Sequence, residues 1–308
     1  MKTIKNLLLF LFAGTLLVSC GKATYKKSKG GMPYQLFKGN DTQQIKNGNF
    51  IKIQFTQKIN DSVYFTTVGS FPQYKQVDSA QVMSYDISEL WTSLKVGDSV
   101  VATQMMDTFI KRDPTRVPPQ FKRGDKIMTF VKILAIFQND SAARIDYEKT
   151  NKDWMEAETK TIQKYLDDKK IVTQKTPSGV FVEMITPGTG NLIDSGKYIS
   201  AKYLGYTIAG KKFDGNIDSS FGHTDPLSFI VGTGAMIKGF DDGVKMMRLG
   251  SKAKIYIPSI LAWGGNPSSP LIKPYENVIF EVEIVDIKDK APMAKQEQMP
   301  PPPPPTQK

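Results

Sequence analysis

The residues here that could do chemistry lie between Tyr203 and Phe280. They are the aromatic and apolar side chains Tyr203, Phe213, Met236, Ile237, Phe240, Trp263 and Phe280, set around one carboxylate, Asp214. The stretch offers no cysteine and no metal-ligand spacing. His223 is the only histidine of the chain, which excludes a histidine-based metal site, and it is expected in a solvated loop. Such a set cannot perform nucleophilic or metal chemistry. It can grip an apolar ring and change the environment of an amide. The reaction it suits is rotation about an X–Pro bond, in which no covalent bond breaks. Amide resonance sets that barrier at about 18–20 kcal/mol and gives the planar state its charge separation. A dry site stabilises the planar state less than water does, while the twisted state loses the separation. Each ~1.4 kcal/mol removed from the barrier gives about tenfold in rate.

Five segments stand in order around these residues: Gly205-Tyr-Thr-Ile-Ala-Gly-Lys-Lys-Phe-Asp214, Met236-Ile-Lys-Gly-Phe-Asp-Asp-Gly243, Gly250-Ser-Lys-Ala-Lys-Ile-Tyr-Ile-Pro258, Ala262-Trp-Gly264 and Val278-Ile-Phe-Glu-Val-Glu283. With this spacing, residues 179–287 resemble an FKBP-type peptidyl-prolyl cis-trans isomerase domain nearly end to end. The resemblance implies the site roles. Phe240 stands where the family has a tryptophan under the proline ring, keeping the apolar floor without the indole N–H. Tyr203, Phe213, Met236, Ile237 and Phe280 match the walls. The backbone N–H of Ile237 is expected to hold the substrate carbonyl, and Asp214 to orient hydrogen bonds with the Tyr203 hydroxyl. Trp263 stands where a tyrosine is usual, and Leu227 replaces an aromatic wall. Leu271 and Ile272 complete the expected substrate-contacting set. No cofactor or metal is implied; the implied partners are proline-containing polypeptides.

The elements that must position these residues are legible by period. Phe50-Ile-Lys-Ile-Gln-Phe55 alternates by twos, as does Ile127 to Ile136 in part, so residues 33–139 read as mostly strand. Residues 140–170 read as a linker helix, capped from Asn139, Asp140 or Ser141 and striped by Trp154, Met155, Ile162, Tyr165 and Leu166. Residues 171–288 return to short strands with glycine-rich turns. Asp241-Asp242 reads as a charged first helical turn favoured by the helix dipole.

A repeat links the halves. Gly48-Asn-Phe-Ile-Lys-Ile-Gln-Phe55 runs without a gap beside Gly196-Lys-Tyr-Ile-Ser-Ala-Lys-Tyr203, and Phe65 then falls beside Phe213. A helix ending at Gly97 matches one ending at Gly250, and Phe130-Val-Lys-Ile133 falls beside Glu281-Val-Glu-Ile284. Residues 33–139 are therefore expected to be a second, diverged FKBP-like domain. Phe55, Thr66 and Thr129 fall beside Tyr203, Asp214 and Phe280, so this copy is expected to be a non-catalytic platform for binding, spacing or homodimer formation. The fold class expected is α+β: two such domains, each an antiparallel sheet wrapped around a short helix, joined by a longer helix.

The ends of the chain carry their own signals. Lys2 and Lys5, then Leu7 to Val18, then Leu17-Val-Ser-Cys20 read as a lipoprotein signal over residues 1–19, with Cys20 as the lipid-bearing residue. Cys20 is the only cysteine, so there is no disulfide framework. A tether is expected over residues 20–32 and a proline-rich tail over 289–308, ending in the run Pro300 to Pro305. The tail serves as a spacer or as a ligand for the chain's own apolar site. The net charge of +11 falls to +9 without Lys2 and Lys5. The basic residues are scattered among acids apart from Lys22 and Lys26-Lys27-Ser-Lys29, so no nucleic-acid partner is expected. Gly21 follows Cys20 and no acidic run comes after it, so by resemblance to lipoprotein sorting signals the localisation expected is an envelope lipoprotein of the outer membrane facing the periplasm. The expected function is isomerase and folding factor; the rival is a non-enzymatic chaperone or assembly subunit that uses the same folds for client binding.

Overall fold

The computed structural model describes residues 25–119 and 121–291. The signal segment, Cys20 and all but the first residues of the tail lie outside the described residues. By their internal contacts the residues form two units: one runs to Thr66 and resumes over Gln73–Asn139, the other takes Thr67–Pro72 and everything from Asp140.

The first unit is one antiparallel sheet of seven strands: β1 (Lys26–Lys27), β2 (Pro33–Phe37), β3 (Phe50–Ile59), β4 (Ser62–Thr66), β5 (Gln73–Gln76), β6 (Ser99–Met105) and β7 (Lys126–Phe137). The order is β1-β2-β6-β7-β3-β4, with β5 also on β3. Alternation decides which face is buried: Ile51 and Ile53 of β3 and Val131 and Ile133 of β7 pack inward with Trp91 and Leu94. The helix on this face is a short 3-10 helix, Ile87–Ser93, whose N-cap Asp86 accepts from the N–H of Ser88. A short α1 (Met106–Arg112) follows β6. The tether expected over residues 20–32 ends earlier than its boundary. Lys26 and Lys27 pair with Tyr34 and Pro33, and Met32 is fully buried in the core, where its thioether is drawn by apolar burial.

The second unit repeats this sheet. After α2 (Asp140–Asp168) come β8 (Gln174–Lys175), β9 (Phe181–Thr186), β10 (Tyr198–Thr207), β11 (Lys212–Gly215), β12 (Leu227–Ile230), α3 (Lys238–Val244), β13 (Lys252–Ile257) and β14 (Val278–Lys288). The order β11-β10-β14-β13-β9-β8, with β12 on β10, is the first sheet read from its other end. The registers agree as well. Phe55 faces Val131 and Tyr203 faces Val282, and each ladder steps once, between Lys52 and Ile53 and between Ser200 and Ala201. The fold class is α+β with two antiparallel sheets, as the repeat implied.

In both sheets the long central strand is paired along one edge by two short strands, β4 and β5 on β3 and β11 and β12 on β10. The connection between each short pair leaves the sheet. In the first sheet that connection is Thr67–Pro72, the segment that belongs to the second unit.

α2 is more than a linker. Its second half buries Glu158, Ile162 and Leu166 in the second unit, with Ile162 and Leu166 against Phe181, Tyr256 and Ile279. It closes with a Schellman turn: the N–H of Ile171 donates to Leu166 O at 2.9 Å and that of Lys170 to Asp167 O at 3.0 Å, with Lys170 left-handed at φ 56°. Ile171 then packs on the same apolar cluster. Ile162→Ala should therefore lower the stability of the second unit by about 2–5 kcal/mol, read by denaturant unfolding of the full chain. A loss well under 1 kcal/mol would show that α2 only connects.

Candidate active site

The cleft of the second unit is built by four elements. β10 brings Tyr203, β14 brings Phe280, α3 brings Phe240, and the turn after β13 brings Trp263. Together with Asp214, Leu227, Met236, Ile237, Ala235 and Ser268 they line about 310 Å³. Phe240 is almost wholly buried and forms the floor. Its ring meets Phe280 edge-on at 5.2 Å and 85°, and Phe229 at 5.9 Å. Edge-to-face packing of this kind fixes ring planes beyond what burial alone does.

Phe213 stands one layer back. It lies buried with its ring edge-on to Trp263 at 5.7 Å and to Phe280 at 5.6 Å, so it supports the wall from behind. The cause is a bulge. Gly205 faces Asp214 and Tyr206 faces Lys212, which leaves Phe213 as the extra residue on β11. Gly205 makes room for it: a Cβ there would come within 2.6 Å of the Phe213 ring and 2.9 Å of Phe280. Leu271 and Ile272 are not brought to the cleft. Ile272 is buried in the core and Leu271 is exposed.

Asp214 has three donors. Its Oδ2 accepts the Tyr203 hydroxyl at 2.7 Å, and its Oδ1 accepts the N–H of Gly215 at 2.9 Å and meets Nε2 of His223 at 3.0 Å. Burial first, and then the Asp214 carboxylate, push the Tyr203 phenol far above its ordinary range, so it stays a donor at any working pH. His223 is half exposed, as a loop residue should be, but the loop folds it onto the cleft carboxylate. Asn216, missed in the sequence, sets the loop's origin. It is buried, its Oδ1 accepts the Tyr203 N–H at 2.7 Å, and its Nδ2 donates to Ala201 O and Asp225 O at 3.0 Å each. An amide two residues past Asp214, where the chain leaves a strand, was its only signal. The backbone N–H of Ile237, just ahead of α3, donates to no protein group among the described residues. Asp241 lies in the first turn of α3, as read from the sequence; it is buried there, and its Oδ2 accepts the Gly232 N–H at 3.2 Å.

The first unit differs at the same rungs. Gln57 stands at the place of Gly205, and the residue facing it is Phe65, not Thr66. Thr66 faces Thr56 on the other side of the sheet, their hydroxyls 2.7 Å apart. The place of Asp214 is therefore taken by a phenyl ring, 6.0 Å from Phe55. Thr129 faces Ala102 and is buried where the second unit has Phe280.

A buried acid supports the Trp263 wall. Glu158 of α2 accepts the hydroxyl of Ser259 and, at 3.4 Å, the N–H of Ile260, in the turn that leads to Trp263. Burial holds its carboxyl above the ordinary carboxylate range, against the pull of those bonds.

The family model for FKBP-type peptidyl-prolyl cis-trans isomerase matches residues 190–285. The FK506-binding protein of Neisseria meningitidis serogroup B is 35% identical over 109 residues, covering 35% of this chain and 96% of that protein. FK506-binding protein 4 of Mycosarcoma maydis is 35% identical over 133 residues, covering 42% of this chain; this chain spans 34% of the length of that relative. A crystal structure of a peptidyl-prolyl cis-trans isomerase from Pseudomonas syringae is similar at 27% identity and a TM-score of 0.36, covering 43% of this chain and 95% of that one.

The raised Glu158 gives a signed prediction. The folded state binds a proton there more tightly than the unfolded chain, so this group's contribution falls as pH rises from the ordinary carboxylate range upward. Glu158→Gln keeps an acceptor for Ser259 and loses the buried charge. It should melt above the wild type at pH 8, with the gap closing as pH falls toward 4.5, the ordinary glutamate value, in a thermal series. A gap independent of pH would mean that the carboxyl carries no buried charge.

Proposed function

We propose that this chain, which belongs to the FKBP-type peptidyl-prolyl cis-trans isomerase family, catalyses X–Pro isomerisation in the cleft of its second unit and assists protein folding in the cell envelope. The observation that carries this reading is the Tyr203–Asp214 pair, set at the rim of an aromatic cleft whose floor is Phe240. A proline ring on Phe240 would be walled by Phe280, Met236 and Trp263 and shielded from water. The N–H of Ile237 is free to take a carbonyl next to the twisting bond. Asp214 holds the Tyr203 hydroxyl at the rim, and its own charge is satisfied by Tyr203, Gly215 and His223. The catalytic work is then desolvation and shape, with no covalent step.

The first unit is read as a client-binding or spacing platform. Phe65 and Gln57 take the places of Asp214 and Gly205, and Val63 and Tyr64 beside them are exposed apolar side chains. Attachment is read from Cys20: a cysteine after Leu17-Val-Ser, behind an apolar run with lysines ahead of it, fits a lipid-bearing residue. Several acyl chains would hold the protein on a membrane, where one alone is marginal. Among the described residues, no helix is long and apolar enough to cross a membrane. Retention at the outer membrane facing the periplasm completes this reading, with proline-containing clients as partners.

In a coupled assay on X–Pro peptides, the full chain should accelerate isomerisation. Asp214→Asn and Tyr203→Phe should each lower kcat/KM by about tenfold, ~1.4 kcal/mol, with melting unchanged. Gln57→Ala in the first unit should leave the rate as it was. Wild-type chain that binds such peptides without accelerating them would leave the non-enzymatic client-binding reading in its place. Cys20→Ser should abolish incorporation of labelled palmitate and release the chain to the soluble fraction. A mutant that still sediments wholly with membranes at high salt would remove the lipid anchor from the proposal.

A further inference from the structure

The second unit includes six residues from far upstream, Thr67–Pro72, and their placement has a mechanical logic. Phe71 is fully buried. Its ring stacks on Tyr275 at 5.2 Å and 20°, and Tyr147 and Trp154 of α2 meet it edge-on at 5.4 Å and 6.3 Å. Tyr275 is the one of these in the left-handed region, at φ 56°. A bulky side chain adopts that conformation only where its surroundings hold it there. Three contacts hold Tyr275. Phe71 covers one face of its ring, and Trp154 meets that ring edge-on at 6.1 Å. On the other side its N–H donates to Gly264 O at 2.8 Å, and the missing side chain of Gly265 makes room for the phenol, since a Cβ there would sit 3.0 Å from its hydroxyl oxygen.

Gly264 and Gly265 directly follow Trp263, the cleft wall. Gly264 is itself left-handed at φ 54°, and its N–H donates to Ser259 O at 2.9 Å, in the turn gripped by Glu158. The chain of contact is thus unbroken: Phe71 ring, Tyr275 ring, Tyr275 N–H, Gly264, Trp263. Phe213 and Phe280 meet the Trp263 ring, but the backbone that carries it runs through a long loop between β13 and β14.

We infer that Phe71 is a positioning residue for the cleft: by locking Tyr275 against Gly264 and Gly265, it sets where the Trp263 wall stands, and so the fit of the substrate segment beside the proline. This rests on the isomerase reading for its kinetic arm only; its spectroscopic arm stands without it.

The chain has three tryptophans, Trp91, Trp154 and Trp263, so 5-fluorotryptophan labelling of the full chain gives three fluorine resonances, assigned by single Trp→Phe variants. Phe71→Leu keeps an apolar group and removes the flat ring; Phe71→Met is the second variant should Leu fail to fold. In a folded variant the Trp263 resonance should shift or broaden, while that of Trp91, in the other unit, stays. Tyr275→Phe keeps the ring and should leave Trp263 in place. With X–Pro peptides, KM should rise about fivefold with kcat nearly constant, since binding fit is lost and the floor is not. An unmoved Trp263 resonance in a folded Phe71 variant overturns the proposal. So does a shifted resonance with wild-type KM, because the wall would then move without consequence. If the wild type has no isomerase activity, the isomerase reading falls, and the Trp263 resonance alone decides the role of Phe71.

Discussion

The half-exposed carboxylate of Asp214 can serve the cleft only if its direction is fixed, and the second unit is arranged around meeting that condition. Asp214 meets it with Tyr203 from the sheet, Gly215 from its own strand end and His223 from the loop that follows. Each donor has a structural precondition. Tyr203 must point inward, which fixes the register of β10 on β14. Gly215 must lie where β11 ends. His223 must be folded back, which Asn216 arranges by bonding both sides of the loop's start.

The aromatic wall follows from the same ladder. Because β11 carries one extra residue, Phe213 is turned behind the cleft and Asp214 into it. The bulge serves both only if the opposite position on β10 has no side chain, and that position is Gly205. In the first unit the bulged residue is Tyr64, the opposite residue is Gln57, and the inward place is filled by Phe65. The difference there is one coordinated change across the rung, since no single substitution at Phe65 would place a bonded carboxylate opposite a glycine.

Much of this was legible in the sequence because it is periodic or carried by the family resemblance. Alternation in Phe50–Phe55 and in Ile127–Ile136 marks β3 and β7, and the gapless alignment of the repeat matches the registers of the central ladders. The aromatic positions of the cleft came with the resemblance, and most of them do converge. What was not legible depends on turn length and on distant contacts. The β3–β4 hairpin closes with the short turn at Asn60 and Asp61, the β10–β11 hairpin with a longer one. Turn length fixes hairpin register, so an ungapped comparison placed Thr66 where the structure has Phe65. The stripe of Ile162, Tyr165 and Leu166 announces a buried face but not what covers it. A lone Phe71 between Gly69, Ser70 and Pro72 has no period at all.

The two units also show which parts of the fold can vary. Both keep the strand order, the step in the central ladder and an edge on which two short strands share one long partner. They differ where that edge opens, between the two short strands, because backbone leaving a sheet has no ladder bonds to preserve. In the second unit the opening, residues 216–226, brings His223 to the site's own carboxylate, with Asn216 tying its start to β10 and to Asp225. In the first, the equivalent opening, Thr67–Pro72, is committed to the second unit's core through Phe71. The same topological freedom was thus used once to finish a site and once to brace it. Two left-handed residues, Gly264 and Tyr275, face each other across that brace. Gly264 adopts the conformation at little cost, but Tyr275 does so at about 1–2 kcal/mol. That strain persists only while Phe71 and Trp154 hold the ring and the backbone N–H stays bonded to Gly264, which makes Tyr275 the point where the brace would yield first.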